Sequence, residues 1–163
     1  MYSRGTAINY TPAMGMAPFL GAKTATYASV TLRPSARLDF EQMFTRERLD
    51  TMPHAPAPRP QMIFNTNLLR SKASVQLTKS LAVRAILDYS QFNSDASLFS
   101  EAGSERLMHE VLVRYVLHPG TAVFVGFNKR SETAFVDPRA DSWLPPSPGG
   151  QQVFVKMSYL FRF

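Results

Sequence analysis

On both sides of three short turns and again in the last strand, apolar and polar side chains alternate, and the alternation keeps its phase through every short turn. A period of two is the signature of a strand with one apolar and one polar face, and no helical arrangement reproduces it. The last thirteen residues, "QQVFVKMSYLFRF", show it most plainly: Val153, Val155, Met157, Tyr159, Phe161 and Phe163 oppose Lys156, Ser158 and Arg162.

The same pattern recurs as an internal repeat. "SVTLRPSARL" (29–38), "SVQLTKSLAV" (74–83) and "RYVLHPGTAV" (114–123) align without a gap, each with an apolar residue, a leucine, a tight polar or Pro-containing turn and a second alternating run. Each predicts a hairpin. Reading outward from the turns at Pro34, Lys79 and Pro119 predicts strands over 22–33 and 36–48, 63–78 and 81–92, and 105–118 and 121–133, closed by 151–163. Residues 3–11 could add an eighth, but with a weak apolar face. The connections at 49–62, 93–104 and 134–150 are long and rich in Pro, Asp and Ser, so short turns alternate with long loops.

Within the hairpins Val30, Leu32, Leu38, Phe40 and Phe44 share a face, as do Leu69, Ala73, Val75, Val83, Ala85, Leu87 and Tyr89, and Val111, Val113, Tyr115, Leu117, Val123, Val125 and Phe127. Charges of both signs stand mid-strand on the opposite face: Arg37, Asp39, Glu41, Arg70, Lys72, Arg84, Asp88, Glu110, Arg114, Lys156 and Arg162. A soluble β-sandwich or ligand-binding barrel would bury the apolar face in a shared core. Two features favour a membrane barrel instead. The strands run longer than the five or six residues usual in globular sheets and reach the roughly nine to eleven that a tilted membrane strand needs. Tight turns at one end and long loops at the other match outer-membrane barrels.

Composition agrees. Charged residues make up 18 % of the chain and aromatics 12 %, a surface poorer in charge than the roughly 25 % of soluble domains. The net charge of +6 is scattered singly along the chain, and alternation separates the basic from the aromatic side chains, so no mixed stacking and phosphate-binding surface for nucleic acid is expected. Cysteine is absent, and no apolar run approaches the roughly 18–20 residues of a membrane helix.

Chemistry finds little foothold. His54, His109 and His118 are far apart without metal-ligand spacing, and no GxSxG, glycine-rich phosphate loop or HExxH occurs. Asp39 and Glu41 could act as paired carboxylates, but the basic residues of neighbouring strands favour charge pairing. Trp143 could stack a sugar ring or mark an interface. No enzyme activity, metal or cofactor is expected.

The ending through Val155, Met157, Tyr159, Phe161 and Phe163 resembles the C-terminal signal by which bacterial outer-membrane barrels are recognised by the barrel-assembly machinery. The stretches "YVLHPGTAVFVGF" (115–127) and "VFVKMSYLFRF" (153–163), supported by "LRPSARLDF" (32–40), resemble a C-terminal barrel domain of unknown function found behind carbohydrate-binding family-nine-like modules in bacterial outer-membrane proteins. The resemblance covers about 22–163, after an irregular segment at 1–21. It implies an all-β, antiparallel, up-and-down transmembrane β-barrel segment of about seven to eight long strands in the bacterial outer membrane. Its partners would be outer-membrane lipid, the assembly machinery, missing N-terminal barrel strands and a carbohydrate-binding module; no residue here can inherit a sugar-binding role. The odd strand count and the absence of an export signal predict an incomplete barrel.

Overall fold

A computed structural model describes residues 1–52, 59–135 and 149–160. Among them there is no helix. Eight strands form one sheet in sequence order, every neighbour antiparallel: β1 (Tyr2–Asn9), β2 (Phe19–Ser35), β3 (Leu38–Thr51), β4 (Met62–Gln76), β5 (Leu81–Ser94), β6 (Gly103–His118), β7 (Thr121–Phe135) and β8 (Gln151–Tyr159). This is an open, barrel-like up-and-down sheet. Among the described residues no pairing joins β8 to β1.

The weak stretch at 3–11 is a strand after all. β1 pairs with β2 only from Phe19 to Thr26. Below Thr26, toward the turn, β2 has β3 on one side and no strand on the other among the described residues. That explains a second difference from expectation. Pro34 does not form the first turn but lies within β2, where the register shifts between Leu32 and Ser35. A proline donates no backbone hydrogen bond, and here the neighbouring edge asks for none. The turn itself is Ala36 and Arg37. Pro119 and Gly120 do form their turn: proline fixes the first φ and Gly120 takes φ 94°, open to glycine at no steric cost.

Register aligns the apolar face across seven strands, interrupted by one row in which Gln42, Ser71, His109 and Lys129 stand with Val30 and Leu87. Leu32 stands opposite Phe40, Phe40 opposite Ala73, Val75 opposite Val83, Val83 opposite Val113, Val113 opposite Val125 and Val125 opposite Val155. Among the described residues nothing covers this face; Val153 is 68 % and Val155 70 % exposed.

The core lies at the loop end of the other face. Leu49 (2 % exposed), Ile63 (0 %), Leu98 and Phe99 are buried together, with Ala7, Met16, Phe19, Phe64 and Phe92 packed against them. The β1–β2 and β5–β6 connections meet over it: Ala13 N donates to Leu98 O, Ser100 N to Thr11 O, and Asn9 Nδ2 to Leu98 O at 3.0 Å.

One glycine has a packing role on the polar face. The Phe154 ring of β8 lies over Gly126 of β7, its direct partner, so closely that a Cβ at 126 would overlap it. Gly126→Val is expected to unseat the ring and weaken the β7–β8 pairing by about 1–3 kcal/mol, read as a lower urea midpoint. An unchanged midpoint would show that the ring finds an equally good seat elsewhere.

Candidate functional site

The face opposite the exposed apolar residues carries the chain's charge. Antiparallel register fixes which side chains share it: Asp39 lies opposite Ser74, Glu41 opposite Lys72, Arg70 opposite Asp88, Ile86 opposite Glu110, and Phe124 between Arg114 and Lys156. Nine of the residues expected on this face are therefore together on it: Asp39, Glu41, Arg70, Lys72, Arg84, Asp88, Glu110, Arg114 and Lys156. Arg37 is not, because it stands in the β2–β3 turn rather than in a strand. Arg162 lies outside the described residues, as do Phe161, Phe163, His54 and Trp143.

Ion pairs step across the strands. Lys72 Nζ meets Glu41 at 3.0 Å, Arg70 Nε meets Asp88 at 3.5 Å and Arg84 Nη2 meets Glu110 at 2.9 Å. Further toward the loops, Lys23 reaches Glu47 at 2.6 Å, and Glu132 takes Arg106 at 3.0 Å and Arg130 at 2.7 Å. Asp39 pairs with Arg33 at 3.0 Å. These side chains are partly exposed, so each pair adds only about 0–1 kcal/mol. Their effect is to hold long cationic side chains flat against the sheet in alternation with acids.

Four arginine and aspartate side chains surround one hollow. Arg70, Asp88, Arg106 and Arg130, with Leu68, Ser90 and Met108, line a cavity of about 240 Å³ on β4–β7. Arg70 faces the Asp88 carboxylate and Arg106 and Arg130 share Glu132, so one positive charge is left over, suited to a small anion or to ordered water. Asp88 Oδ1 is buried without a hydrogen bond, since 3.5 Å from Arg70 Nε is Coulombic contact and too long for one. Among the described residues Arg114 and Lys156 make no ion pair, and they add positive charge near the turns.

Asp39 and Glu41 do not form a carboxylate pair: each is held by a cation of its own, Arg33 and Lys72. His109 is on the apolar face, opposite Leu87 and Lys129, while His118 closes β6 beside the turn. Among the described residues no group of three or more His, Asp or Glu is placed to hold a metal. Of the expected assembly residues, Val155, Met157 and Tyr159 lie on the exposed apolar face of β8. Lys23, Glu47, Arg106, Arg130 and Glu132 escaped the sequence reading, although register places each on the same face as the charges that were found.

The chain matches no family model, no curated protein and no solved structure.

Proposed function

We propose that this chain is part of a bacterial outer-membrane β-barrel, a membrane-embedded structural or transport component. One observation carries the reading: the sheet leaves its apolar face bare and spends its loops and ion pairs on the polar one. A soluble fold does the reverse, because an exposed apolar surface this large costs free energy in water and marks a membrane or protein interface. In lipid the same face is favourable, and the long paired ladders satisfy the backbone groups that hydrocarbon cannot.

Dimensions support it. On β6 the apolar face runs from Leu107 to Leu117, about 33 Å along the strand at roughly 3.3 Å per residue and about 25 Å in height at a tilt near 40°. That is the height of the apolar band of such barrels. Tyr89, opposite Leu107, and Tyr115 stand toward its borders, where interfacial aromatics are favoured. Val155, Met157 and Tyr159, with Phe161 and Phe163, would then offer the assembly machinery an aromatic final strand. The family resemblance adds a link to carbohydrate binding or uptake in a longer parent protein.

Electrophoresis of the chain folded in detergent tests the reading. A membrane barrel is expected to migrate differently before and after boiling. A chain that needs no detergent to stay dispersed, and whose migration boiling leaves unchanged, would be the soluble β-sandwich or ligand-binding barrel instead.

A further inference from the structure

The apolar face has a sharp upper border. Ala28, Phe44, Leu69, Tyr89 and Leu107 form its last apolar row on β2–β6, and the next residues on the same face are Thr26, Arg46, Asn67, Gln91 and Glu105. Beyond that border, cations are not spread evenly. Arg4, Arg46 and Arg48 gather at the β1–β3 corner; among the described residues the other strand lysine or arginine on this face is Lys129 of β7, opposite His109 and one row to the turn side of the border.

We propose that this corner binds the phosphate of an anionic lipid headgroup on the loop side of the membrane. The inference rests on the membrane reading above. Arg4, Arg46 and Arg48 line a cavity of about 350 Å³ together with Tyr2, Thr24, Thr26 and Asp50. Arg46 donates through Nε to Asn65 Oδ1 at 3.0 Å, which holds its guanidinium in place and leaves the terminal amino groups for an incoming oxyanion. Arg48 is clamped by Asp50, Nε to its two oxygens at 2.8 and 2.9 Å, so that pair is neutral. Arg4 packs over the Tyr2 ring with its guanidinium 5.8 Å from the centroid, and among the described residues neither Arg4 nor Arg46 makes an ion pair. Two uncompensated arginines and two threonine hydroxyls therefore face one hollow.

Height and neighbours identify the ligand. Arg46 and Arg48 lie two and four residues beyond Phe44, about 7 and 13 Å along a tilted strand, and the headgroup layer is about 5–8 Å deep on each side of the hydrocarbon. Directly below, the same face continues as an apolar track of Ala28, Val30 and Leu32 beside Phe44 and Phe40, with Gln42 between the two rings. A cationic hollow over an apolar track fits a phosphate joined to acyl chains, and a soluble anion has no use for the track.

The full chain and Arg4→Gln/Arg46→Gln should be folded into phosphatidylcholine vesicles containing a minor fraction of phosphatidylglycerol, extracted in mild detergent and examined by native mass spectrometry. The double variant is expected to retain phosphatidylglycerol about thirtyfold less well, about fivefold per arginine, while Lys129→Gln retains it like the wild type. Millimolar inorganic phosphate should not displace it. Equal retention by the double variant, equal loss with Lys129→Gln, or full displacement by phosphate would each overturn the lipid site while leaving a folded, heat-shifting membrane protein. Failure of the wild type to enter vesicles would overturn the membrane reading and this inference with it.

Discussion

Arginine in place of Val111 is expected to keep the protein out of the membrane, whereas arginine in place of Asn128 is expected to leave assembly unchanged. The two positions sit on adjacent strands and on opposite faces. Val111 lies between Ala85 and Phe127, near the middle of the β6 apolar band. A cation there would face hydrocarbon, which costs about 2–4 kcal/mol near the midplane of a barrel. That is a large share of the 5–15 kcal/mol that holds a typical domain folded. Asn128 stands directly opposite Glu110 on the charged face, where a new guanidinium joins the Arg84–Glu110 pair and meets no hydrocarbon. The measurement is the fraction of each variant that folds into lipid vesicles, read from the heat-dependent gel shift. Equal folding of both variants would remove the case for lipid against the apolar face. A soluble sandwich predicts a different pattern, in which Val111→Arg damages the fold in water with no vesicle present.

How far the sequence could be read follows from where the border falls. Below it, on the turn side, Val30, Leu69, Val83, Val125 and Val155 mark the apolar face and Glu41, Lys72, Arg84 and Glu110 the charged one, with Gln42, Ser71, His109 and Lys129 the polar side chains that intrude on the apolar face. Above it the faces exchange character. On β3, Phe44 shares a face with Arg46 and Arg48, while the opposite face changes from Glu41 and Glu47 to the buried Leu49. Alternation read by hydropathy slips one residue at that point, even though the strand continues straight through. Lys23, Glu47, Arg106, Arg130 and Glu132 stay on the charged face beyond the border, where no apolar run opposite them marks the strand. β1 was weak for a related reason: it pairs wholly above the border, so its Tyr2, Arg4, Thr6 and Ile8 never needed to form an apolar face. The core cluster depends on Leu98 and Phe99 from a polar-looking connection, "NSDASLFSEAGS", whose inward fold is a tertiary event that no local pattern encodes.

Phe99→Ala should lower stability by about 3–5 kcal/mol, through loss of the cluster that ties the loop end together. Its side chain is 9 % exposed and its ring lies 5.4 Å from that of Phe64 and 5.6 Å from that of Phe92, with Phe64 and Phe92 themselves 5.9 Å apart. The three tilted rings add edge contacts to the area they bury. Phe99 also pairs through its backbone with Pro12, so the ring anchors the β1–β2 connection as well as its own. Without it, Leu98 and Ile63 lose a packing partner and the connections at 10–18 and 95–102 lose their common floor. Urea unfolding should show the drop in midpoint, and limited proteolysis should cut within those two connections before it cuts any strand. Val155→Ala is the control: that side chain is 70 % exposed and packs against no core, so its loss should move the midpoint little in detergent. Similar destabilisation by the two substitutions would place the protein's packing energy on the apolar face, against a second layer of protein, and would contradict a lipid-facing sheet. The cluster fills the loop end of the polar face between β1 and β5, so the loss of one ring is expected to be felt by both connections that meet over it.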